Sequence, residues 1–193
     1  MKVVVLKYNA GNVQSVLHAL KRIGLDAEWS NEPEELYAAD KVIIPGVGQA
    51  ASAMRFLKAR KLEQVLTNLK VPVLGICLGM QLLCAYSEEG QIECLGVFTD
   101  RVERLRIGYK VPQVGWNQIQ DFKGPLFSGL DSKAYCYYLH SYYVPPGDST
   151  VAVSAYGLPL SAAIVRDNYY GVQFHPEKSA QVGERILRNF VNL

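Results

Sequence analysis

Between Val3 and Leu83 the chain repeats one pattern three times: a short uninterrupted apolar run, a turn, and a segment with helical spacing. Val3–Leu6 leads into the turn Asn9-Ala10-Gly11-Asn12, after which Val13, Val16, Leu17, Leu20 and Ile23 recur at helical intervals up to Gly24. Val42-Ile43-Ile44 ends in Pro45-Gly46-Val47-Gly48, followed by helix-compatible sequence from about Ser52 to Leu69. Val71-Pro72-Val73-Leu74-Gly75-Ile76 passes into a helix carrying Met80, Leu82 and Leu83. Strands with no polar alternation must be covered on both faces, and their alternation with helices predicts a parallel sheet built from right-handed βαβ units.

After about Gly96 the pattern changes. Strand-like pieces at Val111–Ile119, Ala134–Val144, Val151–Ala155, Ala162–Val165 and Tyr170–Phe174 are expected to pair partly antiparallel. Ser179 stands where it would cap a last helix whose apolar face is Val182, Ile186, Leu187 and Phe190. No repeat or low-complexity stretch divides the 193 residues, so one domain over 1–193 is expected.

Formal net charge is +2 with the basic residues scattered, which gives no electrostatic footprint for nucleic acid. The apolar start meets Lys7 at once, too short for a signal segment or a membrane span, so a cytoplasmic location is the expectation. Cys77, Cys84, Cys94 and Cys136 form no C-x-x-C pair, and His18, His140 and His175 lie far from any cysteine pair. Reduced thiols, no metal and no cofactor are expected.

Gly75-Ile76-Cys77-Leu78-Gly79 places a cysteine between glycines, after an apolar strand and at the start of a helix. That is the setting of a nucleophile elbow: the glycines permit the tight turn, and the helix N-terminus favours thiolate over thiol. Taken alone, the same five residues also fit a small buried hydrophobe. Gly171-Val172-Gln173-Phe174-His175-Pro176-Glu177 supplies the missing partners, with His175 as general base and acid and Glu177 orienting the imidazole. Pro176 keeps His175 extended, and in extended chain residues i and i+2 share a face, so His175 and Glu177 are expected to meet. Donors for a tetrahedral oxyanion are available from the Leu78 N–H and from the turn Gly46-Val47-Gly48. That turn lacks the Lys-Ser/Thr of a P-loop and the spacing of a dinucleotide fingerprint.

With Cys77, His175 and Glu177 in this order, the chain resembles the class I (triad) glutamine amidotransferases. Pro45-Gly46-Val47-Gly48, Gly75-Ile76-Cys77-Leu78-Gly79-Met80-Gln81, Gly115-Trp116-Asn117, His140-Ser141-Tyr142 and Gly171–Glu177 are similar, more narrowly, to the glutaminase subunits of imidazole glycerol phosphate synthases. The resemblance implies a three-layer, flavodoxin-like α/β fold: a largely parallel central sheet, helices on both faces, and a partly antiparallel C-terminal half. It implies hydrolysis of L-glutamine to glutamate and ammonia through a thioester, with ammonia passed to a separate (β/α)8-barrel cyclase in a heterodimer of histidine biosynthesis.

It also implies that Gln81 and Glu89 hold the glutamine head group beside the Ser141–Tyr142 backbone. Asn12, Ser15, Trp116 and Asn117 would face the cyclase. A solvated carboxylate at Glu89, a helix cap at Asn12 and a core aromatic at Trp116 are the structural alternatives. A synthase of pyridoxal phosphate, aminobenzoate or guanylate, a non-catalytic subunit, and hydrolysis of another small amide or ester are the functional ones. Lys7-Tyr8-Asn9-Ala10 and Gln49-Ala50 depart from the family pattern, at a position that is more often acidic and one that is more often aromatic.

Overall fold

The computed structural model describes residues 1–8, 13–46 and 48–193. The Asn9-Ala10-Gly11-Asn12 turn and Val47 lie outside the described residues, and so do the roles expected of Asn12 and Val47. The elements in order are β1 (Val3–Leu6), α1 (Val13–Arg22), β2 (Glu28–Ser30), α2 (Pro33–Tyr37), β3 (Lys41–Ile44), α3 (Ala50–Ala59), α4 (Leu62–Asn68), β4 (Val73–Ile76) and α5 (Leu78–Leu83). There follow β5 (Tyr86–Ser87), β6 (Ile92–Glu93), β7 (Arg101–Arg104), β8 (Gln113–Gln118), β9 (Tyr135–His140), β10 (Tyr142–Tyr143), β11 (Thr150–Ala155), β12 (Pro159–Arg166), β13 (Tyr169–Val172) and α6 (Ala180–Val191). Short 3-10 turns occupy Pro125–Phe127 and Pro176–Lys178.

The main sheet has seven strands in the order β11-β12-β13-β4-β3-β1-β2. From β2 to β13 neighbouring strands run parallel; β12 and β11 are added antiparallel at the edge. Every residue of β1, β3 and β4 is buried, as uninterrupted apolar strands require when both faces are covered. The two faces carry separate hydrophobic clusters. One gathers Val16, Leu20, Phe174, Ile186 and Phe190, the other Leu36, Met54, Leu57, Leu66 and Leu83. The expected α/β architecture, largely parallel and antiparallel toward the C-terminal half, is the one observed.

Four local expectations are corrected. The helix expected from Ser52 to Leu69 is two helices, because Lys61 adopts a left-handed conformation (φ 55°) and redirects the chain so that Leu62, Val65 and Leu66 reach the core. The strand expected over Ala134–Val144 is broken at Ser141 into β9, which pairs with β8, and β10, which pairs with β7. Tyr170–Phe174 ends as a strand at Val172; beyond it the Gln173 N–H still donates to the Ala162 carbonyl, and Phe174 packs into the core against Tyr138. Ser179 precedes α6 but makes no side-chain cap; its hydroxyl donates to the His175 carbonyl at 2.6 Å and accepts from the Tyr137 N–H at 2.9 Å. β2 and α2 were not visible in the sequence, because Glu28-Trp29-Ser30 is mostly exposed and α2 buries only Leu36.

Candidate active site

β4 and β13 are adjacent parallel strands in register, with Ile76 opposite Val172. The segments that follow both strands therefore leave the sheet side by side at its carboxyl edge, where open α/β sheets place ligands. Cys77 follows β4, and its N–H donates to the Val172 carbonyl at 2.7 Å. Its backbone (φ 51°, ψ −106°) is in a region that costs a non-glycine residue on the order of 1–3 kcal/mol, the strained turn expected of an elbow.

The elbow is held by close backbone packing. A Cβ at Gly79 would lie 1.9 Å from the Ile44 carbonyl oxygen, and one at Gly46 would lie 2.5 Å from Leu78 Cβ and 2.6 Å from Gly79 N. Only glycine lets β3 and the start of α5 approach this closely. The same contact brings Gly46 and the N–H of Leu78, the first of its helix and without an intrahelical acceptor, to one spot. Tyr8, fully buried at the end of β1, donates its phenol to the Pro45 carbonyl and so anchors the entry to the Gly46–Gly48 turn. Burial, with the Cys77 sulfur adding to it, raises the Tyr8 pKa, so this hydroxyl stays a donor.

His175 leaves β13 by way of Gln173 and Phe174, and its own N–H donates to the Tyr137 carbonyl at 2.8 Å. Its Nδ1 lies 2.8 Å from Glu177 Oε1, with the two side chains 1% and 5% exposed. The contact was expected from extended chain, but only His175 is extended (φ −102°, ψ 96°). Glu177 stands in the 3-10 turn begun by Pro176, whose ring is suited to the first turn of a helix. Burial opposes the imidazolium; the Cys77 sulfur and Glu177 outweigh it and push the His175 pKa up to about 10. The ring thus feels the sulfur strongly, while Nε2 is buried with no well-aligned hydrogen bond.

A cavity of about 260 Å³ opens over the sulfur, lined by Gly46, Gly48, Cys77, Leu78, Gln81, Glu89, Leu139, His140, Ser141 and Tyr142 among others. Its wall holds every described residue expected for the oxyanion and the glutamine head group. Gln81 is buried, with Nε2 bonded to the Tyr142 carbonyl at 2.9 Å and to Gln173 Oε1 at 3.0 Å; its amide oxygen remains for a ligand. Glu89 is half-buried, not solvated; Oε2 accepts from the Ala50 N–H at 2.7 Å at the start of α3. Burial raises its pKa, and the Ala50 bond partly offsets that. The Ser141 and Tyr142 carbonyls are already taken, by the Leu105 N–H and by Gln81 and His140 respectively.

His140 is structural. Its Nδ1 donates to the Tyr142 carbonyl at 2.8 Å, and Nε2 lies 3.0 Å from the Gln113 side-chain amide. Burial pushes its pKa down to about 4, so the ring is neutral. His18 lies exposed on α1.

The expected interface residues divide. Trp116 is 55% exposed, which removes the core-aromatic alternative, and it meets Tyr137 edge-on at 6.2 Å. Val114 and Tyr135, also exposed, lie on the same β8–β9 ribbon, and Lys178 sits over the Tyr137 ring. Asn117 is engaged within the chain, donating to the Ala155 carbonyl at 2.9 Å and accepting from the Gln118 N–H. Ser15 is half-buried on α1, the helix that packs on the Pro176–Lys178 turn.

A family model for class I glutamine amidotransferases matches residues 4–193. The chain belongs to that family. Among related proteins, the amidotransferase is 50% identical to the imidazole glycerol phosphate synthase subunit HisH of Bacteroides fragilis, over 100% of both chains. It is 45% identical to that of Vibrio cholerae, over 99% of this chain and 98% of the other. A solved glutamine amidotransferase superposes with a TM-score of 0.75 at 20% identity, covering 98% of this chain and 97% of the other, a likeness that speaks for the fold. Within its family the amidotransferase falls with the HisH subunits.

Two residues of the amidotransferase site escaped the sequence reading. Gln173 lies in the quoted segment but reads as one more strand residue, and Tyr8 reads as a core aromatic; only tertiary contacts reveal their partners.

Proposed function

We propose that this HisH-type subunit, a single domain over 1–193, hydrolyses L-glutamine with Cys77 as nucleophile, His175 as general base and acid, and Glu177 as the group that orients His175. The observation carrying this reading is the register of β4 and β13, from which the segments bearing Cys77 and His175 leave the sheet side by side, with Cys77 in the wall of a cavity. His175 takes the thiol proton as sulfur attacks the side-chain amide carbon of glutamine. It returns that proton to the departing nitrogen, which leaves as ammonia and strands a thioester on Cys77. Water, deprotonated by His175, then attacks the thioester; glutamate departs and the thiol regains its proton.

The oxyanion is met by the N–H of Leu78 and by the Gly46–Gly48 turn, where Val47 completes the sequence. Glu89 pairs with the α-ammonium through its oxygen that Ala50 does not use, and the Gln81 oxygen accepts from the same head group. The glycines let a peptide of the turn rotate toward the oxyanion, so that turnover rises only when the acceptor subunit is ready.

The partner is a (β/α)8-barrel cyclase that joins the ammonia to a phosphorylated ribulosyl nucleotide precursor, giving imidazole glycerol phosphate and an aminoimidazole carboxamide ribonucleotide. Its docking face is the ribbon of exposed Val114, Trp116 and Tyr135 with half-buried Tyr137, supplemented by Ser15 on α1. The cytoplasm is the compartment this reading assigns; no described helix is long and apolar enough to cross a membrane. Mixing the chain with such a cyclase and measuring glutamate release tests the reading. Release should rise when the nucleotide substrate is added, and Cys77→Ala should abolish glutamine-dependent synthesis while sparing synthesis from added ammonia. Glutamine-dependent synthesis retained in Cys77→Ala would remove the assignment of Cys77, whereas equal loss of both activities would point to a docking or folding defect.

A further inference from the structure

Gln173 is fully buried between β13 and His175, and both ends of its amide are engaged: Nε2 lies 3.6 Å from Cys77 Sγ and Oε1 lies 3.0 Å from Gln81 Nε2. Which end faces the sulfur follows from a backbone group. The Tyr142 carbonyl, 2.9 Å from Gln81 Nε2, can only accept, so the NH2 of Gln81 is fixed on that side. The same NH2 reaches Gln173, which must present its oxygen there and its own NH2 to Cys77.

Besides its contact with His175, the sulfur has, among the described residues, one other hydrogen-bond contact, 3.6 Å from the Leu139 carbonyl. The Gln173 and Leu139 contacts have opposite polarity. A carbonyl can only receive the S–H and so favours the neutral thiol; an amide N–H can only give, and its bond strengthens when the sulfur becomes an anion.

We propose that Gln173 is a positioning residue for the nucleophile: its amide holds the Cys77 sulfur through an N–H···S bond that favours the thiolate, and Gln81 keeps that amide correctly turned. The glutamine-binding wall and the attacking atom are thereby joined by one run of uncharged groups. A ligand that engages Gln81 bears on the sulfur through Gln173 without adding any charge. The inference rests on the reading of Cys77 as nucleophile.

The other titratable groups around the sulfur are His175 with Glu177 behind it, Tyr8 from the end of β1, and His140 and Glu89 in the wall of the same cavity. All are unchanged in Gln173→Met, which adds no charge, so its difference from the parent chain reports the amide. Iodoacetamide alkylation of the full chain is followed as a function of pH at the Cys77 peptide by mass spectrometry. Gln173→Met should raise the pH midpoint by about one unit, making alkylation about tenfold slower at a fixed pH below it. It should also lower kcat for glutamate release more than it raises KM.

Gln173→Glu keeps the acceptor that Gln81 needs, loses the donor and adds a like charge beside the sulfur, so it should shift the midpoint in the same direction and by more. A folded Gln173→Met chain with the parent midpoint overturns the proposal, whatever its thermal stability. If that chain does not fold, Gln173→Glu with the parent midpoint overturns it. Parent Cys77 reacting no faster than Cys94 would overturn the nucleophile reading, and this inference with it.

Discussion

Glu177 Oε1 stands 2.8 Å from His175 Nδ1, while its second carboxylate oxygen is buried with no partner. In the proposed mechanism this carboxylate fixes the tautomer and orientation of the imidazole and favours its charged form. Glu177→Gln preserves the shape but lets the ring turn or take the wrong tautomer. Glutamate release in the complex should fall by about 100-fold or more, with a much smaller change in KM.

The His175 pKa, pushed up to about 10 from an ordinary 6.5, makes a stability prediction with a definite sign. A raised pKa means that the folded chain keeps a proton the unfolded chain releases. Its contribution is fully present below about pH 6.5 and is lost as pH rises through about 10. Cys77→Ala removes the main group that raises this pKa. Thermal unfolding of the parent and of Cys77→Ala, followed from pH 6 to 10, should therefore show a steeper decline in the parent. Parallel curves would contradict the assignment.

Adding a methyl group at Gly46 drives Cβ to 2.5 Å from Leu78 Cβ, so the turn must move off the elbow. Gly46→Ala should cut kcat by about 100-fold, the cost of a lost oxyanion donor, while glutamine still binds. Steady-state kinetics in the complex and a binding measurement on Cys77→Ala/Gly46→Ala distinguish this from simple loss of substrate.

Tyr8→Phe leaves the Pro45 carbonyl without the phenol that now donates to it. Denaturant unfolding should show a loss of about 1–3 kcal/mol, the cost of a buried acceptor left unsatisfied. The fold increase in glutaminase activity on adding the cyclase should change as well, because the entry to the Gly46–Gly48 turn is no longer anchored. An unchanged activation ratio would confine Tyr8 to a role in stability.

Trp116 is more than half exposed on the β8–β9 ribbon. Trp116→Ala should weaken cyclase binding by about tenfold or more, as truncation of an aromatic anchor does, with little effect on unfolding. Titration calorimetry against the cyclase reads the first effect and thermal melting the second.

The sequence disclosed the parallel half because both faces of β1, β3 and β4 are covered, and such strands are written almost entirely in Val, Ile and Leu, with Lys41 at the start of β3 and Gly75 in β4. It disclosed the elbow because the glycines beside Cys77 answer to a steric demand that no other residue meets. What stayed hidden depends on contacts between distant segments. Ser179 looks like a helix cap, yet its hydroxyl braces His175 and Tyr137. Gln173 and Tyr8 carry no local pattern, since a buried amide and a buried phenol take their meaning from what they touch. The Lys61 break and the Ser141 break were illegible for the same reason: each is imposed by the packing of the elements on either side.

Glu89 occupies two places at once, half-buried in the cavity wall and bonded to Ala50, the first residue of the helix that follows the Gly46–Gly48 turn. With Glu89 as the proposed partner of the substrate's α-ammonium, substrate selectivity and the setting of that turn would share a component. An engineer who recasts position 89 to admit a different amide also loosens the support of the helix behind the turn. New specificity in this scaffold has to be bought together with a new way of anchoring α3.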